Sequence, residues 1–297
     1  MRDPVTNEYI VKEWETVNCP VCNSGTYSVY EKFGNKMQYR YVKCSDCTLI
    51  YSSPRPKYDK DFIDSCYATY QFFDGADLDD LDKLHTSTKS MFEKAIKSLI
   101  KYDKLRTNVL DIGCGMGTFL YAAKPYYKKL TGLDVSEKMA NFVRTKIGVN
   151  VELEQFQDHE SAEPYSLIHM SHVLEHIPNP NAWLEHARKL LHPEGVLVIN
   201  VPNKMSLSRR IKHRFYKLGL IKQYSSSWRD ATRTPDHLYE PTIKSFLQLL
   251  KQNNFKVLDY YTYSRKDPVS ESGFFTKFFN RTLKKGTNLS FIATPIK

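Results

Sequence analysis

The 297-residue chain lacks any apolar run of membrane-spanning length. Its longest stretches, such as Val196-Leu197-Val198-Ile199, fall far short of the roughly 20 residues that a bilayer helix needs. The opening Met1-Arg2-Asp3-Pro4-Val5-Thr6-Asn7-Glu8 carries no apolar core of an export signal. The Gly-Lys-Ser/Thr of a P-loop is missing, and acids are scarce, with 33 against 43 basic residues and a net charge of +10. These absences argue for a soluble, cytoplasmic protein. Core material is not lacking: 41% of residues are hydrophobic and 13% aromatic, which excludes a disordered chain and a disulfide mini-protein. The length suggests about two domains.

Of six cysteines, four form Cys19-Pro20-Val21-Cys22 and Cys44-Ser45-Asp46-Cys47, two C-x-x-C pairs with 21 residues between them. Zinc favours four soft ligands in a tetrahedron, and each C-x-x-C turn puts two sulfurs on one ion. Between them, Tyr27-Ser28-Val29-Tyr30 and Gln38-Tyr39-Arg40-Tyr41-Val42 read as β-strands joined through Phe33-Gly34-Asn35-Lys36. A hairpin of that length returns the second pair to the first, giving a zinc ribbon with a structural rather than catalytic ion. Disulfides fit poorly with a chain that shows no export signal.

Ser52-Ser53-Pro54-Arg55-Pro56 then breaks regular structure, and an acidic stretch follows with Asp59, Asp61, Asp64, Asp74, Asp77, Asp79, Asp80 and Asp82. It reads as a solvated linker or as a flap, with Tyr67 and Tyr70 inside it. From about Lys89 strands alternate with amphipathic helices, the pattern of a parallel sheet covered on both faces. Asn108 to Ile112 is a strand running into Gly113-Cys114-Gly115-Met116-Gly117, and a helix begins at Thr118. A dinucleotide fingerprint needs glycine where Thr118 stands. Lys129 to Asp134 is the next strand, ending in an acid suited to two ribose hydroxyls. Ser136 caps a helix with apolar Met139, Ala140, Val143 and Ile147, stopped by Gly148. A nucleoside without a pyrophosphate is therefore the expected ligand.

Val109-Leu110-Asp111-Ile112-Gly113-Cys114-Gly115-Met116-Gly117-Thr118-Phe119-Leu120 resembles motif I of class I S-adenosylmethionine-dependent methyltransferases. Ser171-His172-Val173-Leu174-Glu175-His176-Ile177-Pro178 is similar to that family's motif after the fourth strand. Leu190-Leu191-His192-Pro193-Glu194-Gly195 is similar to the approach to its fifth strand. The resemblance covers roughly residues 85–297, and zinc-ribbon relatives linked to sugar or secondary-metabolite methylation resemble residues 19–70.

The resemblance implies a Rossmann-like, seven-stranded doubly wound sheet preceded by a small β-ribbon zinc module. The boundaries are 1–70 for ribbon and linker and 71–297 for the methyltransferase domain, with a basic lid insertion at 203–238. It places S-adenosyl-L-methionine along Gly113, Cys114, Gly115 and Gly117. Asp111, Asp134, Val135 and Ser171 are further cofactor residues, and Gln155 and Phe156 stand on the adenine side. Methyl transfer to oxygen or nitrogen also needs a proton acceptor, for which imidazole is suited near neutral pH. His237 is the first candidate, then His176 and His172; the last two share one face if their segment is helical. No carboxylate cluster stands near these histidines in the sequence, which favours a reaction without a catalytic metal.

Between Asn203 and Asp236 nine basic residues face the single acid Asp230, so most of the chain's surplus charge is concentrated there. Ile211, Phe215, Leu218 and Leu220 are interleaved at near-helical spacing, which predicts a basic amphipathic lid. The favoured partner is a small, anionic substrate, a phosphorylated or nucleotide-linked sugar or related metabolite. RNA is the second choice and a non-catalytic cofactor-binding scaffold the third, while peripheral docking on an anionic membrane is a further reading of the basic insertion.

Overall fold

A computed structural model describes residues 10–33, 39–63, 66, 77–221, 236–264 and 286–296. The chain divides into two compact units. The first comprises Met1–Gly75, Glu175–Pro180 and Asn203–Leu249; the second comprises Ala76–Leu174, Asn181–Pro202 and Leu250–Lys297.

In chain order the strands β1 (Trp14–Glu15), β2 (Tyr27–Phe33), β3 (Tyr39–Cys44), β4 (Ile50–Ser52) and β5 (Arg55–Pro56) come first. Then follow α1 (Leu78–Leu99), β6 (Asn108–Ile112), α2 (Thr118–Ala123), β7 (Lys129–Leu133), α3 (Glu137–Phe142) and β8 (Asn150–Glu152). The chain continues through β9 (Tyr165–Ser171), α4 (Pro180–Leu190), β10 (Leu191–Pro202), α5 (Leu207–Lys217) and β11 (Tyr239–Glu240). It closes with α6 (Ile243–Gln252), β12 (Phe255–Tyr263) and β13 (Asn288–Pro295).

The first unit is built on an antiparallel sheet in the order β11-β4-β3-β2, so the expected hairpin forms and gains two neighbours. β11 lies almost 190 residues beyond β4, yet Tyr239 pairs with Tyr51 and Glu240 with Ile50. That pairing draws part of the expected insertion into the same unit as the cysteine module. Tyr39, Tyr41, Tyr51 and Tyr239 are buried with Val42 and give it a mainly aromatic core. Tyr41 donates a hydrogen bond from its hydroxyl to the His237 carbonyl at 2.7 Å.

The second unit holds a seven-stranded sheet in the order β12-β13-β10-β9-β6-β7-β8. β10, β9, β6, β7 and β8 are parallel, whereas β13 runs antiparallel to both β10 and β12. All five residues of β6 are buried, as a parallel strand covered on both faces requires. Chain order reverses at β6, which has β9 on one side and β7 on the other, and the glycine loop leaves its carboxyl end. That is the switch point at which doubly wound sheets bind ligands. The Rossmann-like architecture expected from the sequence is present.

Three local expectations change. The acids from Asp77 onward open the 22-residue helix α1: Asp77 caps it by accepting from the Asp79 N–H, with Asp79 and Asp80 in the first turn. Negative charge is favoured at a helix N-terminus, so these acids belong to a helix rather than to a linker. Ser136 caps α3 by accepting from the Met139 N–H at 3.3 Å, but the helix widens to a π-turn over Val143–Ile147 before Gly148 ends it. The helix that Trp183, Leu184, Ala187, Leu190 and Leu191 mark by their spacing ends one residue early, because Leu191 pairs with Tyr165 as the start of β10. Tyr67, Tyr70, Asp64, Asp74 and the Gly34–Lys36 turn lie outside the described residues.

Candidate functional site

The glycine loop is shaped by three left-handed residues, Gly113, Gly115 and Gly117, with φ of +65°, +50° and +66°. L-residues with a Cβ rarely adopt this region, so the turn from β6 into α2 depends on glycine. Two of them are also packed. A Cβ on Gly113 would sit 2.6 Å from Val173 Cγ2, and one on Gly117 2.8 Å from Val143 Cγ2. A Cβ on Gly115 would meet nothing within 4 Å, which leaves its backbone open to an incoming group. Gly132 in β7 has a related role missed in the sequence, because a Cβ there would lie 2.8 Å from Cys114 Sγ. Cys114 itself is buried, and burial pushes its thiol up, so it serves as packing under the loop.

Asp134 follows β7 and is tied to this loop. Its Oδ2 accepts from the Gly115 N–H at 2.8 Å and its Oδ1 from the Ser136 N–H at 2.9 Å. Burial pushes the carboxyl up, while those backbone donors pull it down; the balance lies above the ordinary carboxylate value. A carboxylate oriented by two N–H groups keeps lone pairs for hydroxyls. Val135 beside it is exposed. Together the open backbone of Gly115 and the fixed Asp134 fit an adenosine-type ligand.

The remaining expected cofactor residues divide. Asp111 is 3% exposed, and His169 Nδ1 lies 2.7 Å from its Oδ1. It belongs to a polar thread across β6, β9 and β10, in which Asn200 Nδ2 stands 3.1 Å from His169 Nε2 and 3.5 Å from Ser171 Oγ. Phe119 stacks on the His169 ring with centroids 3.7 Å apart. Phe156 is buried between Trp183 and His186 at 4.9 and 4.8 Å, so it is a core side chain, and Gln155 is the exposed member of the pair. His169 and Asn200 were legible only as polar interruptions of apolar strands.

His172 does not share a helical face with His176. It has φ +58° and donates its N–H to the Asn200 carbonyl at 2.9 Å, a bend at the end of β9. Only Leu174–His176 forms a short 3₁₀ turn, and the two histidines fall in different units.

In the first unit His176 and His237 come together edge to face, with centroids 4.8 Å apart. His176 Nδ1 donates to the Asp236 carbonyl at 2.9 Å, which fixes the tautomer and leaves Nε2 as an acceptor. His237 Nδ1 stands 3.4 Å from Glu240 Oε1, and its Nε2 is 4.0 Å from Glu175 Oε1. Both glutamates are fully buried, so the expected absence of carboxylates around the histidines is overturned. The strand β11 brings Glu240 in from a pairing that local sequence does not show. Burial pushes His176 down, aided by neighbouring His237. Burial also pushes His237 down, but the hydrogen bond and charge of Glu240 outweigh it and leave His237 raised. The two adjacent imidazoles are thus shifted in opposite directions by their surroundings.

The four cysteines converge. Cys19 and Cys47 Sγ are 3.4 Å apart, Cys22 and Cys44 Sγ are 3.5 Å apart, and all four lie within 4.8 Å of one another. Sulfurs about 2.3 Å from one tetrahedral zinc lie some 3.8 Å apart, so the donor set fits that ion. Although burial raises the Cys44 thiol, N–H donors of Cys47 and Asp46 bring it down to about 7. The basic segment is less free than its charge suggests. Lys204 is 1% exposed and donates to Glu31 Oε2 at 3.1 Å, and Arg209 Nη1 lies 3.7 Å from Glu240 Oε2. Lys222, Arg229, Asp230 and Arg233 lie outside the described residues.

Comparison with known proteins agrees with the loop geometry. The family described as "Methyltransferase domain" matches residues 85–260. Ubiquinone biosynthesis O-methyltransferase of Hydrogenovibrio crunogenus is 26% identical over 141 residues, 45% of this chain and 56% of that protein. The chain spans about half the length of the curated enzymes of that name that it matches. The magnesium protoporphyrin IX methyltransferase of Synechocystis, solved with bound SAH, superposes with a TM-score of 0.50 at 15% identity over 71% of this chain and 84% of its own. The plantazolicin methyltransferase BpumL, solved with a monoazolic desmethylPZN analog and SAH, gives 0.51 at 19% identity over 80% and 96%. With more than half of its length matched by the family and its glycine loop at the switch point of the sheet, the chain belongs to the methyltransferase-domain family.

Proposed function

We propose that the chain is an S-adenosylmethionine-dependent methyltransferase acting on a small anionic acceptor, a phosphorylated or nucleotide-linked sugar or related metabolite. The observation that carries the cofactor reading is the tether from the open Gly115 backbone to Asp134. Gly113, Cys114 and Gly117 shape the loop, Asp134 takes the ribose, Val135 and Ser171 border it, and Gln155 stands toward the adenine. When bound, the cofactor supplies an activated methyl group on a sulfonium. The protein's task is then alignment and proton removal.

His237 is the proposed proton acceptor, strengthened by Glu240 and Glu175, with neutral His176 beside it. This enclosed cluster supports a small acceptor over a nucleic-acid backbone and argues against a scaffold without catalysis. Arg209, in the first turn of α5, is the proposed grip on an anionic group. The four cysteines are proposed to hold a structural zinc, with no ligand position left for chemistry.

Calorimetry with S-adenosylmethionine and its demethylated product tests the cofactor. Uptake of labelled methyl onto sugar nucleotides, with RNA in parallel, tests the acceptor. Heat with the cofactor and label on a sugar nucleotide are expected. No heat at millimolar cofactor removes the reading, and label on RNA alone replaces the acceptor.

A further inference from the structure

The helix α5 is amphipathic in the wrong direction for a packed helix. Leu207, Ile211, Phe215 and Leu218 recur at spacings of four, four and three, and on a helix of 3.6 residues per turn they fall within an arc of about 80°. A soluble protein normally buries such a stripe. Here all four are exposed, Phe215 by 45% and Leu218 by 66%, and no residue of the helix is buried. The half-buried positions are Arg209, His213 and Tyr216, on the opposite side. His213 stacks on Tyr30 with ring planes 1° apart and centroids at 4.2 Å, while Arg209 approaches Glu240. The polar side of the helix thus faces its own unit, and the apolar side faces out.

Charge identifies the occupant. The helix carries Arg209, Arg210, Lys212, Arg214 and Lys217 and no acid. On the helical wheel Arg214, Arg210 and Lys217 flank one edge of the stripe and Lys212 stands beyond the other. Gly219 follows with φ +69° and ends the helix, and Leu220, 66% exposed, adds a further apolar side chain. Apolar side chains with a row of three cations along one edge and Lys212 beyond the other match the layering of an anionic membrane surface, with hydrocarbon below and phosphate headgroups at the helix flanks. RNA would meet the cations but leave Leu207, Ile211, Phe215 and Leu218 in water. We propose that α5 is an in-plane docking helix for an anionic lipid surface. This holds independently of which acceptor is methylated.

The test is flotation of the full chain with vesicles of phosphatidylcholine alone or with one third phosphatidylglycerol. Binding to the anionic vesicles, weakening with salt, is expected. Phe215→Asp with Leu218→Asp should lower it by roughly tenfold or more. Replacing Arg210, Arg214 and Lys217 by Gln should cost roughly fivefold per cation and erase the preference for anionic vesicles. Phe215→Trp should show a blue-shifted emission increment on adding those vesicles, a readout that needs no disruptive change. Four results overturn the proposal: no flotation with either vesicle, flotation indifferent to the Phe215 and Leu218 changes, retention of the chain by RNA but not by vesicles, or a dimer in solution that the same changes dissociate.

Discussion

The two units make binding groups by opposite means. In the second unit the ligand-facing surface is mostly backbone, with three glycines held at positive φ and one acid, Asp134, pinned by two N–H donors. In the first unit the proposed proton-handling cluster is all side chain, with His176, His237, Glu175 and Glu240 packed against one another. Backbone sites tolerate few substitutions and are written as short motifs. Side-chain clusters are assembled from distant segments and titrate together.

The largest effect expected from this difference separates chemistry from binding. His237→Ala should lower turnover by about 10²–10⁴-fold, the usual contribution of a general base. Calorimetric affinity for S-adenosylmethionine should be unchanged, because the proposed role of His237 is to take a proton from the acceptor and not to hold the cofactor. Unchanged turnover would move the proton acceptor elsewhere, with His176→Ala as the next test.

The second effect acts on the backbone site. Asp134→Ala removes hydrogen bonds to a charged group, worth about 1.5–3 kcal/mol, or roughly ten- to hundredfold in cofactor affinity. The glycines should split. Gly113→Ala drives a methyl into Val173 and should lower the thermal midpoint, whereas Gly115→Ala points into open space and should weaken the cofactor with a smaller cost to the fold. Equal behaviour of the two would show that Gly115 serves only the turn.

This contrast also explains what the sequence revealed. The switch-point loop was legible because strand, glycines and terminal acid are contiguous from Asn108 to Asp134. The convergence of Cys19, Cys22, Cys44 and Cys47 was legible because two C-x-x-C turns flank a hairpin that returns one pair to the other. Glu240 was not legible beside His237 as a partner, since its burial depends on β11 pairing with β4. The condition for His172 to share a face with His176, a helical segment, is not met, because a left-handed bend invisible in residue type takes it out of helical register. Phe156 was placed on the adenine side by the resemblance alone, and its packing against Trp183 and His186 was not legible in the sequence. The inward partners of Lys204 and Arg209 were likewise hidden, so charge counting overstated the free basic surface.

The smallest effect is a displacement in pH, and it tests whether the side-chain cluster works as a unit. A proton acceptor is active when deprotonated, so turnover should rise with pH through the folded pKa of His237, which lies above its ordinary 6.5. Glu240→Gln removes the charge that helps raise it and leaves at most a neutral hydrogen bond in place of a charge-assisted one, so burial gains weight and the acidic limb should move to lower pH while the plateau falls with the weaker base. Stability follows the same linkage. A raised folded pKa stabilises the protein fully below 6.5 and loses that contribution as pH rises through the folded value. The wild type should therefore lose thermal midpoint over that window relative to Glu240→Gln. A limb that stays in place would mean that His237 titrates without Glu240, and that the cluster is a packing arrangement rather than a proton-handling one.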